Sequence, residues 1–402
     1  MNILSSACST AAALLRRTGF TPRHHVERCP RVRRLTPAAA LACLALLAAC
    51  STQYSPPEIL DANTRFPGLV DLPAQAEGRT VDVLLVHGIC THNARWAQQV
   101  VAQLMASING ASMTTSRSAS VDANGIEIVP ATVATPAGRL RFNALIWSPL
   151  TTPLKRQLCY DQADKSAICT GAPPYAHQRA LLNARLKDTL IDDCLPDALI
   201  YQGGAREAIQ LRMRDAIVRV LADSDAPDNV PLVVIAHSMG SKIMFDTLLR
   251  MTQEAPGSHA AVAAQRTMAR MRILVMAANQ VPLLSLAEQQ VDQQVDIAAA
   301  RAAPSDSLQL LLQQRGSEDR RRTMAPLTLV AFSDPNDPLS YTLPRERYAG
   351  QGVAVYNILV SNAPTWLGLL ERPDDAHLDY LKNPDVGRLV ACGVPASALC
   401  TQ

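Results

Sequence analysis

One serine in this chain lies where a strand-like run meets a helix-like run. The apolar residues 232–236 predict a buried strand, residues 242–249 predict a helix, and Ser238 stands between them. A serine at the apex of such a turn presents its hydroxyl to a partner base, but the strained backbone requires small neighbours. Ala236 and Gly240 take those two positions, although the first is more often glycine. A buried strand that ends in a polar turn gives a similar pattern, so the serine alone does not decide the chemistry.

Carboxylates and an imidazole follow two later apolar runs. Asp334 and Asp337 come directly after the run 327–332, and His377 follows the run 353–360. A serine hydroxyl is a weak nucleophile at neutral pH, and a neutral imidazole can take its proton and return it to a leaving group. A carboxylate on the other ring nitrogen fixes the tautomer and stabilises the imidazolium. The serine, His377 and one of the two aspartates therefore form a candidate catalytic set.

The elements that must position this set alternate between strands and helices. Further strand-like runs lie at 80–86, 125–129, 140–147 and 272–278, and an amphipathic helix with Ile209, Met213, Ile217 and Leu221 on one face precedes the serine strand. Continuous apolar strands that alternate with helices predict an α/β domain, with a mostly parallel sheet and helices on both faces. In such a sheet we expect the three side chains to converge at one rim.

The order serine, aspartate, histidine along these strands resembles that of the α/β-hydrolase superfamily, over about residues 81–402. The resemblance implies the α/β-hydrolase fold and an activity like that of a serine esterase or lipase. It also favours Asp337 over Asp334 as the acid, because the family's acid is followed two places on by an apolar residue, here Leu339.

The same resemblance implies an oxyanion hole made of two backbone N–H groups. One would belong to Met239, which follows the serine. The pair His87-Gly88 comes after the first long strand and resembles the family's HG-x motif, so Ile89 or Cys90 would supply the second. Hydrolysis of this type needs no cofactor.

The other histidines are expected to have structural roles. His237 would pack beside the serine turn, and His92 could lie at the pocket rim, whereas His177 and His259 have no identifiable partners and are expected at the surface. No set of histidine, cysteine and carboxylate residues has a zinc-like spacing, so the sequence predicts no metal site.

The charge of the chain is concentrated at its start. The net charge is +3, but residues 1–50 hold seven of the 38 basic residues and one of the 35 acidic residues, so the remainder is slightly acidic. That remainder has no basic patch for nucleic acid, and the aromatic fraction of 4% argues against a platform that stacks bases.

An export signal is predicted within this first segment. Three arginines precede the apolar run 37–50, which is shorter than the roughly 20 residues that a membrane span needs. Its end, Leu47-Ala48-Ala49-Cys50, resembles the lipobox of bacterial lipoprotein precursors, which implies cleavage before Cys50 and acylation of that cysteine. Ser51, rather than aspartate, follows, and this resembles outer-membrane sorting with the protein facing the periplasm. An ordinary cleaved signal or a plain membrane anchor is the alternative.

The expected domain organisation follows from these assignments. Residues 1–49 form a leader, residues 50–79 form a lipidated and proline-containing tether, and residues 80–402 form the α/β domain. Two insertions are expected over the sheet, at about 148–204 and 282–316, as helical caps. The partners implied are a small ester or lipid substrate and a membrane that holds the lipid anchor; oligomeric state stays open.

Six cysteines remain after removal of the leader and acylation of Cys50, and an even number in an exported protein predicts disulfides. Six cysteines allow 15 pairings. Cys159–Cys169 and Cys392–Cys400 are the local candidates, which leaves Cys90–Cys194 as the remainder; Cys90 could instead be a buried thiol.

Two functions compete on this evidence. The first is a membrane-anchored serine hydrolase that cleaves carboxylic esters, with thioesterase, amidase or acyltransferase chemistry open to the same residues. The second is a non-catalytic lipoprotein that uses the fold as a binding or assembly module.

Overall fold

The computed structural model describes residues 51–52, 55–76, 79–116, 120–121, 125–162, 168–170, 179–222, 230–289, 305–315, 326–350, 352–366 and 371–401. The predicted leader, the acylation site Cys50 and His177 lie outside the described residues. Within the described ranges, no helix is both long enough and apolar enough to span a bilayer.

The described residues form strands of two to nine residues. They are β1 Ser51–Thr52, β2 Glu58–Ile59, β3 Phe66–Pro67, β4 Thr80–Val86, β5 Ser112–Ser116, β6 Ser120–Val121, β7 Glu127–Thr135, β8 Gly138–Ile146, β9 Leu232–His237, β10 Met271–Ala277, β11 Leu327–Ser333, β12 Val353–Leu359, β13 Thr365–Trp366 and β14 Gly393–Val394.

The helices connect and cover these strands. They are α1 Leu72–Gln75, α2 Ala94–Met105, α3 Ser148–Lys155, α4 Leu181–Arg185, α5 Leu195–Gln202, α6 Arg206–Ala222, α7 Met239–Thr252, α8 His259–Arg270, α9 Val281–Leu284, α10 Ser307–Arg315, α11 Arg345–Tyr348, α12 Pro373–Leu378 and α13 Pro384–Cys392. Two 3₁₀ segments, Arg156–Asp161 and Ser285–Glu288, and a π-helix, Leu186–Cys194, complete the set.

The main sheet confirms the predicted α/β class. Its strands follow the order β2-β12-β11-β10-β9-β4-β8-β7-β5, with β6 paired beside β7. The six strands from β12 to β8 are parallel to their neighbours, whereas β2, β5, β6 and β7 are antiparallel additions. The sheet is therefore mostly parallel, and a β7–β8 hairpin extends one side.

The connections create a switch in direction between β4 and β9. The chain leaves β4 and returns on one side, as β8, but leaves β9 and returns on the other side, as β10. Ligands bind open α/β sheets in the crevice outside the carboxyl ends of the strands at such a point. Val86 ends β4 and His237 ends β9, so the residues that follow them border this crevice.

Helices cover both faces of the sheet, as the alternation of side chains requires. Val83 and Leu85 of β4 lie in the apolar cluster that also holds side chains of α2 and α13. Leu84 and Val86 lie in the opposite cluster, with side chains of α6, α7, α8 and α10. In α10, which falls in the predicted second cap, Leu308, Leu311 and Leu312 are buried in that cluster.

The segment predicted as a tether is largely part of the domain. β2 pairs with β12, and β3 pairs with β14. Leu69 and Val70 are fully buried between β3 and α1, so this stretch carries core side chains as well as prolines. The proline content alone predicted an extended linker, but the apolar residues between the prolines pack against the domain.

All three predicted disulfides are confirmed. Cys90 is bonded to Cys194, and the two local bonds are Cys159–Cys169 and Cys392–Cys400. The first joins residues 104 apart in sequence and ties the segment after β4 to the first insertion.

Candidate active site

Ser238 occupies the junction of β9 and α7 in a conformation that side chains rarely adopt. Its φ is 53° and its ψ is −130°, and residues other than glycine at positive φ cost on the order of 1–3 kcal/mol. The Ser238 N–H donates to the carbonyl oxygen of Ala277 at 2.7 Å, which ties the turn to the neighbouring strand. The hydroxyl donates to Nε2 of His377 at 3.0 Å. The strained turn therefore presents the serine to an imidazole.

Two glycines allow the approach of the turn to the end of β4. A Cβ on Gly240 would collide with the carbonyl oxygen of His87, and a Cβ on Gly88 would lie 2.5 Å from the Cβ of Ser238. Ala236, the small residue before the turn, lies within β9 opposite Val86 and Met276 of the flanking strands. These contacts explain why small residues surround the serine.

His377 and Asp337 form the next link. Nδ1 of His377 lies 3.0 Å from Oδ1 and 2.9 Å from Oδ2 of Asp337. Oδ2 also accepts from the Tyr380 hydroxyl at 3.1 Å, and Oδ1 accepts from the Leu339 N–H at 2.9 Å. A carboxylate so placed keeps the proton of the imidazole on Nδ1, and Nε2 is then an acceptor for the serine proton.

Asp334, the rival acid, has a different set of partners. Its carboxylate accepts from the N–H groups of Asn336 at 2.9 Å and Asn362 at 2.6 Å. Burial raises the pKa of Asp334, and burial together with the charge of Asp334 raises the pKa of Glu371 to about 7. Two neighbouring carboxyl groups favour retention of a proton between them. Asp334 therefore holds the backbone around the turn through hydrogen bonds, and Asp337 is the aspartate that bonds the His377 imidazole.

The N–H groups of the three predicted oxyanion donors differ in their hydrogen bonds. The Cys90 N–H donates to Oδ2 of Asp197 at 2.8 Å, and Cys90 itself has a positive φ of 77°. The N–H groups of Met239 and Ile89 make no hydrogen bond to other described residues. Of the three predicted donors, Met239 and Ile89 are thus available to a bound group, and Cys90 is engaged by a carboxylate.

No known protein-family model matches this chain, and a search of curated proteins gives no significant match.

The neighbouring histidines hold backbone in place. Nε2 of His87 accepts from the Trp147 N–H at 2.9 Å, while Nδ1 lies 2.8 Å from the carbonyl oxygen of Gly88. Burial is the main cause that lowers the pKa values of His87 and His92, the latter to about 4. His237 is also buried, with a lowered pKa, and donates through Nε2 to the carbonyl oxygen of His377 at 3.1 Å. These rings are neutral at physiological pH and order the loops around the serine.

Two site residues were not predicted from the sequence. Tyr380 bonds Asp337, and it also accepts from the N–H of Asp334 at 2.6 Å, so it links the two aspartates. Its position three residues after His377 was a usable signal, because that spacing places side chains on neighbouring parts of one turn. Nε2 of Gln280 lies 3.4 Å from Nε2 of His377, and Gln280 follows the carboxyl end of β10 at the same rim.

Among the described residues, no group of three or more histidine, cysteine or acidic side chains is arranged to hold a metal ion. His259 begins α8 and is exposed, as predicted.

Proposed function

We propose that this protein is a serine hydrolase that cleaves carboxylic esters through an acyl-enzyme intermediate. One observation carries the proposal: the hydroxyl of Ser238, the imidazole of His377 and the carboxylate of Asp337 form a continuous hydrogen-bonded series at the carboxyl edge of the sheet. The three come from separate parts of the chain, and the serine backbone is strained where they meet. Such strain at a buried polar site favours function over packing as its reason.

The reaction follows from the proton positions. Nε2 of His377 takes the Ser238 proton while Oγ attacks the ester carbonyl, and the imidazolium is stabilised by Asp337. The same proton then passes to the leaving alcohol, which departs and leaves Ser238 acylated. Water then loses a proton to Nε2 and attacks the acyl carbonyl. The bond to Oγ breaks, the acid is released, and Nε2 returns its proton to Oγ, which restores the serine.

Negative charge on the carbonyl oxygen needs donors that are in place beforehand. The N–H groups of Met239 and Ile89 fit this role. Met239 follows Ser238, Ile89 follows Gly88, whose backbone lies close to Ser238, and neither N–H bonds another described group. Each such donor contributes about 3 kcal/mol to stabilising the transition state.

We place the enzyme at a membrane of the bacterial cell envelope, through acylation of Cys50. The support is the arginine-flanked apolar run and the lipobox-like Leu47-Ala48-Ala49-Cys50. Two or more acyl chains on one cysteine anchor a protein stably, whereas a single chain binds only marginally.

A second candidate function is a non-catalytic binding or assembly module. The burial of the site favours it, because Ser238 and His377 are both 0% exposed, and an ester would need a path to the serine. Enzymes of this kind often open by loop movement, so burial alone does not exclude catalysis.

A fluorophosphonate probe separates the two functions. The hydrolase proposal expects covalent labelling of the wild type and its loss in Ser238→Ala, together with loss of p-nitrophenyl ester hydrolysis. A folded wild type that is neither labelled nor active would favour the binding module. A panel of p-nitrophenyl esters with different acyl lengths then defines the substrate class.

A further inference from the structure

We infer that the buried pair Lys155–Asp197 is a positioning device for the oxyanion hole: Asp197 fixes the Ile89–Cys90 peptide, and this holds in place the preceding Gly88–Ile89 peptide, in which Ile89 supplies the second N–H donor. This inference rests on the proposed hydrolase function. It assigns a role to two residues of the first insertion that touch neither the serine nor the imidazole.

The contacts of Asp197 carry the argument. Its side chain is fully buried, and Oδ2 accepts from the Cys90 N–H at 2.8 Å and from Nζ of Lys155 at 3.1 Å. A carboxylate accepts hydrogen bonds and, when ionised, donates none. The Cys90 N–H is therefore directed toward Asp197, and the carbonyl group on the other side of the same peptide is directed away from it.

Lys155 keeps this carboxylate charged despite its burial. Its own side chain is fully buried, and Nζ also donates to Oδ1 and to the backbone oxygen of Asp193, both at 2.8 Å. The ammonium group thus has three acceptors for its three protons. Burial raises the pKa of Asp197 to about 6, while the charge of Lys155 opposes that rise, so the carboxylate is ionised above neutral pH.

The rest of the loop is held in the same way. The Thr91 N–H and hydroxyl donate to Asp193 at 3.2 and 2.6 Å, and Cys90 is bonded to Cys194. Cys90 and Thr91 are consequently fixed, and Gly88 lies close to Ser238, because a Cβ added to Gly88 would lie 2.5 Å from the Cβ of Ser238. The Gly88–Ile89 peptide, which carries the Ile89 N–H, lies between these two points, and the acceptor at position 197 restrains it from the Cys90 side.

The residue at position 197 must meet one specific requirement. What matters for catalysis is a hydrogen-bond acceptor for the Cys90 N–H, and the charges matter only because a lone buried charge is unstable. Removal of one partner of a buried ion pair is strongly destabilising, whereas replacement of both partners is often tolerated. An asparagine can keep its oxygen on the Cys90 N–H and turn its NH₂ toward the Thr151 hydroxyl, which interacts with this side chain in the wild type.

Two double variants test this requirement as a matched pair. Lys155→Met/Asp197→Asn removes both charges of the pair and keeps the acceptor, while Lys155→Met/Asp197→Leu removes both charges and the acceptor. Asp193 loses its bond to Lys155 in both variants, so this loss cancels in the comparison. Each is assayed at pH 8.5 for kcat and KM with one p-nitrophenyl ester and for the rate of fluorophosphonate labelling, with thermal unfolding recorded in parallel.

The asparagine variant should keep kcat within a few-fold of the wild type. The leucine variant should lose about 10²–10³-fold in kcat, the loss expected for one oxyanion donor, with KM changed only a few-fold. If the leucine variant does not fold, Lys155→Met/Asp197→Ala takes its place with the same expected result. A purely structural role would lower the unfolding temperature of the variants without separating their kcat values.

The outcomes distinguish the inference from the function on which it rests. Equal kcat values for the asparagine variant and the variant without an acceptor would overturn the inference and leave the hydrolase proposal intact. A wild type that neither hydrolyses esters nor reacts with the probe would overturn the hydrolase proposal, and this inference with it.

Discussion

The two sides of the site are held by different means. The loop side, residues 87–92, is tied to the first insertion by the Cys90–Cys194 disulfide and by the charges of Asp193 and Asp197. The turn side, residues 334–337 with 377–380, is held by hydrogen bonds among its own residues, chiefly those of Tyr380.

The difference follows from what each side contributes. The turn side supplies an imidazole and a carboxylate, and their side chains can be fixed by near neighbours. In the proposed mechanism the loop side supplies a backbone N–H, whose direction depends on the whole peptide, and support from outside the loop keeps such a donor in place beforehand. A covalent bond and a buried ion pair provide that support here.

The largest effect is expected on the turn side. Asp337→Asn replaces the carboxylate that keeps the proton of His377 on Nδ1 with an amide, whose NH₂ favours the other tautomer, and kcat should fall by about 10⁴-fold. Asp334→Asn should lose far less, because the carboxylate of Asp337, not that of Asp334, bonds the His377 ring, although asparagine keeps only one of the bonds that the two oxygens of Asp334 accept from the N–H groups of Asn336 and Asn362. Steady-state kinetics with a p-nitrophenyl ester measure both. A greater loss in Asp334→Asn would show that the acid is misassigned.

On the loop side the disulfide should dominate stability. Chain entropy predicts a loss of about 5 kcal/mol for Cys90→Ser/Cys194→Ser, whose bond spans 104 residues. The matched variant Cys392→Ser/Cys400→Ser opens a bond that spans 8 residues and should lose about 2.5 kcal/mol. Urea unfolding under the same conditions compares them. Equal losses would argue that the long bond does not constrain the domain as described.

A single substitution can crowd the contact between the loop side and Ser238. Gly88→Ala places a Cβ 2.5 Å from that of Ser238, and the loop must shift, at a cost of about 1–3 kcal/mol and with a reduced kcat. Gly204→Ala is the control, since a Cβ there has no neighbour within 4 Å. Unfolding and kinetics of both variants test the point, and similar behaviour of the two would remove the steric argument.

The smallest effect is a difference in pH dependence. Because the pKa of Glu371 is raised from 4.5 to about 7, its contribution to the free energy of unfolding is lost as the pH rises through that interval. The pKa of His92 is lowered from 6.5 to about 4, so its contribution is lost as the pH falls through that interval.

Urea unfolding between pH 4 and pH 8 measures these slopes. Glu371→Gln should flatten the decline toward neutral pH, and His92→Gln should flatten the decline toward acidic pH. If Glu371→Gln instead flattened the acidic decline and His92→Gln flattened the decline toward neutral pH, the directions of the pKa shifts of Glu371 and His92 would be wrong.

The parts predicted from sequence are those that depend on local pattern. The apolar run 80–86 coincides with β4, and Ile209, Met213 and Ile217 fall within α6. Runs of buried residues have a period that shows in the sequence, and catalytic side chains have types that limit the choice. The sequence therefore led to Ser238, His377 and the pair of candidate acids.

The parts not predicted depend on contacts between distant segments. Nothing near Cys90 indicates that its N–H meets Asp197, 107 residues later. The choice between Asp334 and Asp337 likewise needs the position of the His377 ring, since both aspartates follow the same strand. Backbone direction and side-chain partners across the sheet are tertiary properties, and composition and spacing do not specify them.

The strand pairs of the first described residues bear on how far such an enzyme could act from a bilayer. Ser51 already pairs with Trp366, β2 pairs with β12, and β3 pairs with β14. If position 50 carries acyl chains, the first strand pair begins one residue after the lipid, and the reach of a tethered domain is set by its free spacer. Esters that this protein meets would then be those within one protein diameter of the lipid headgroups.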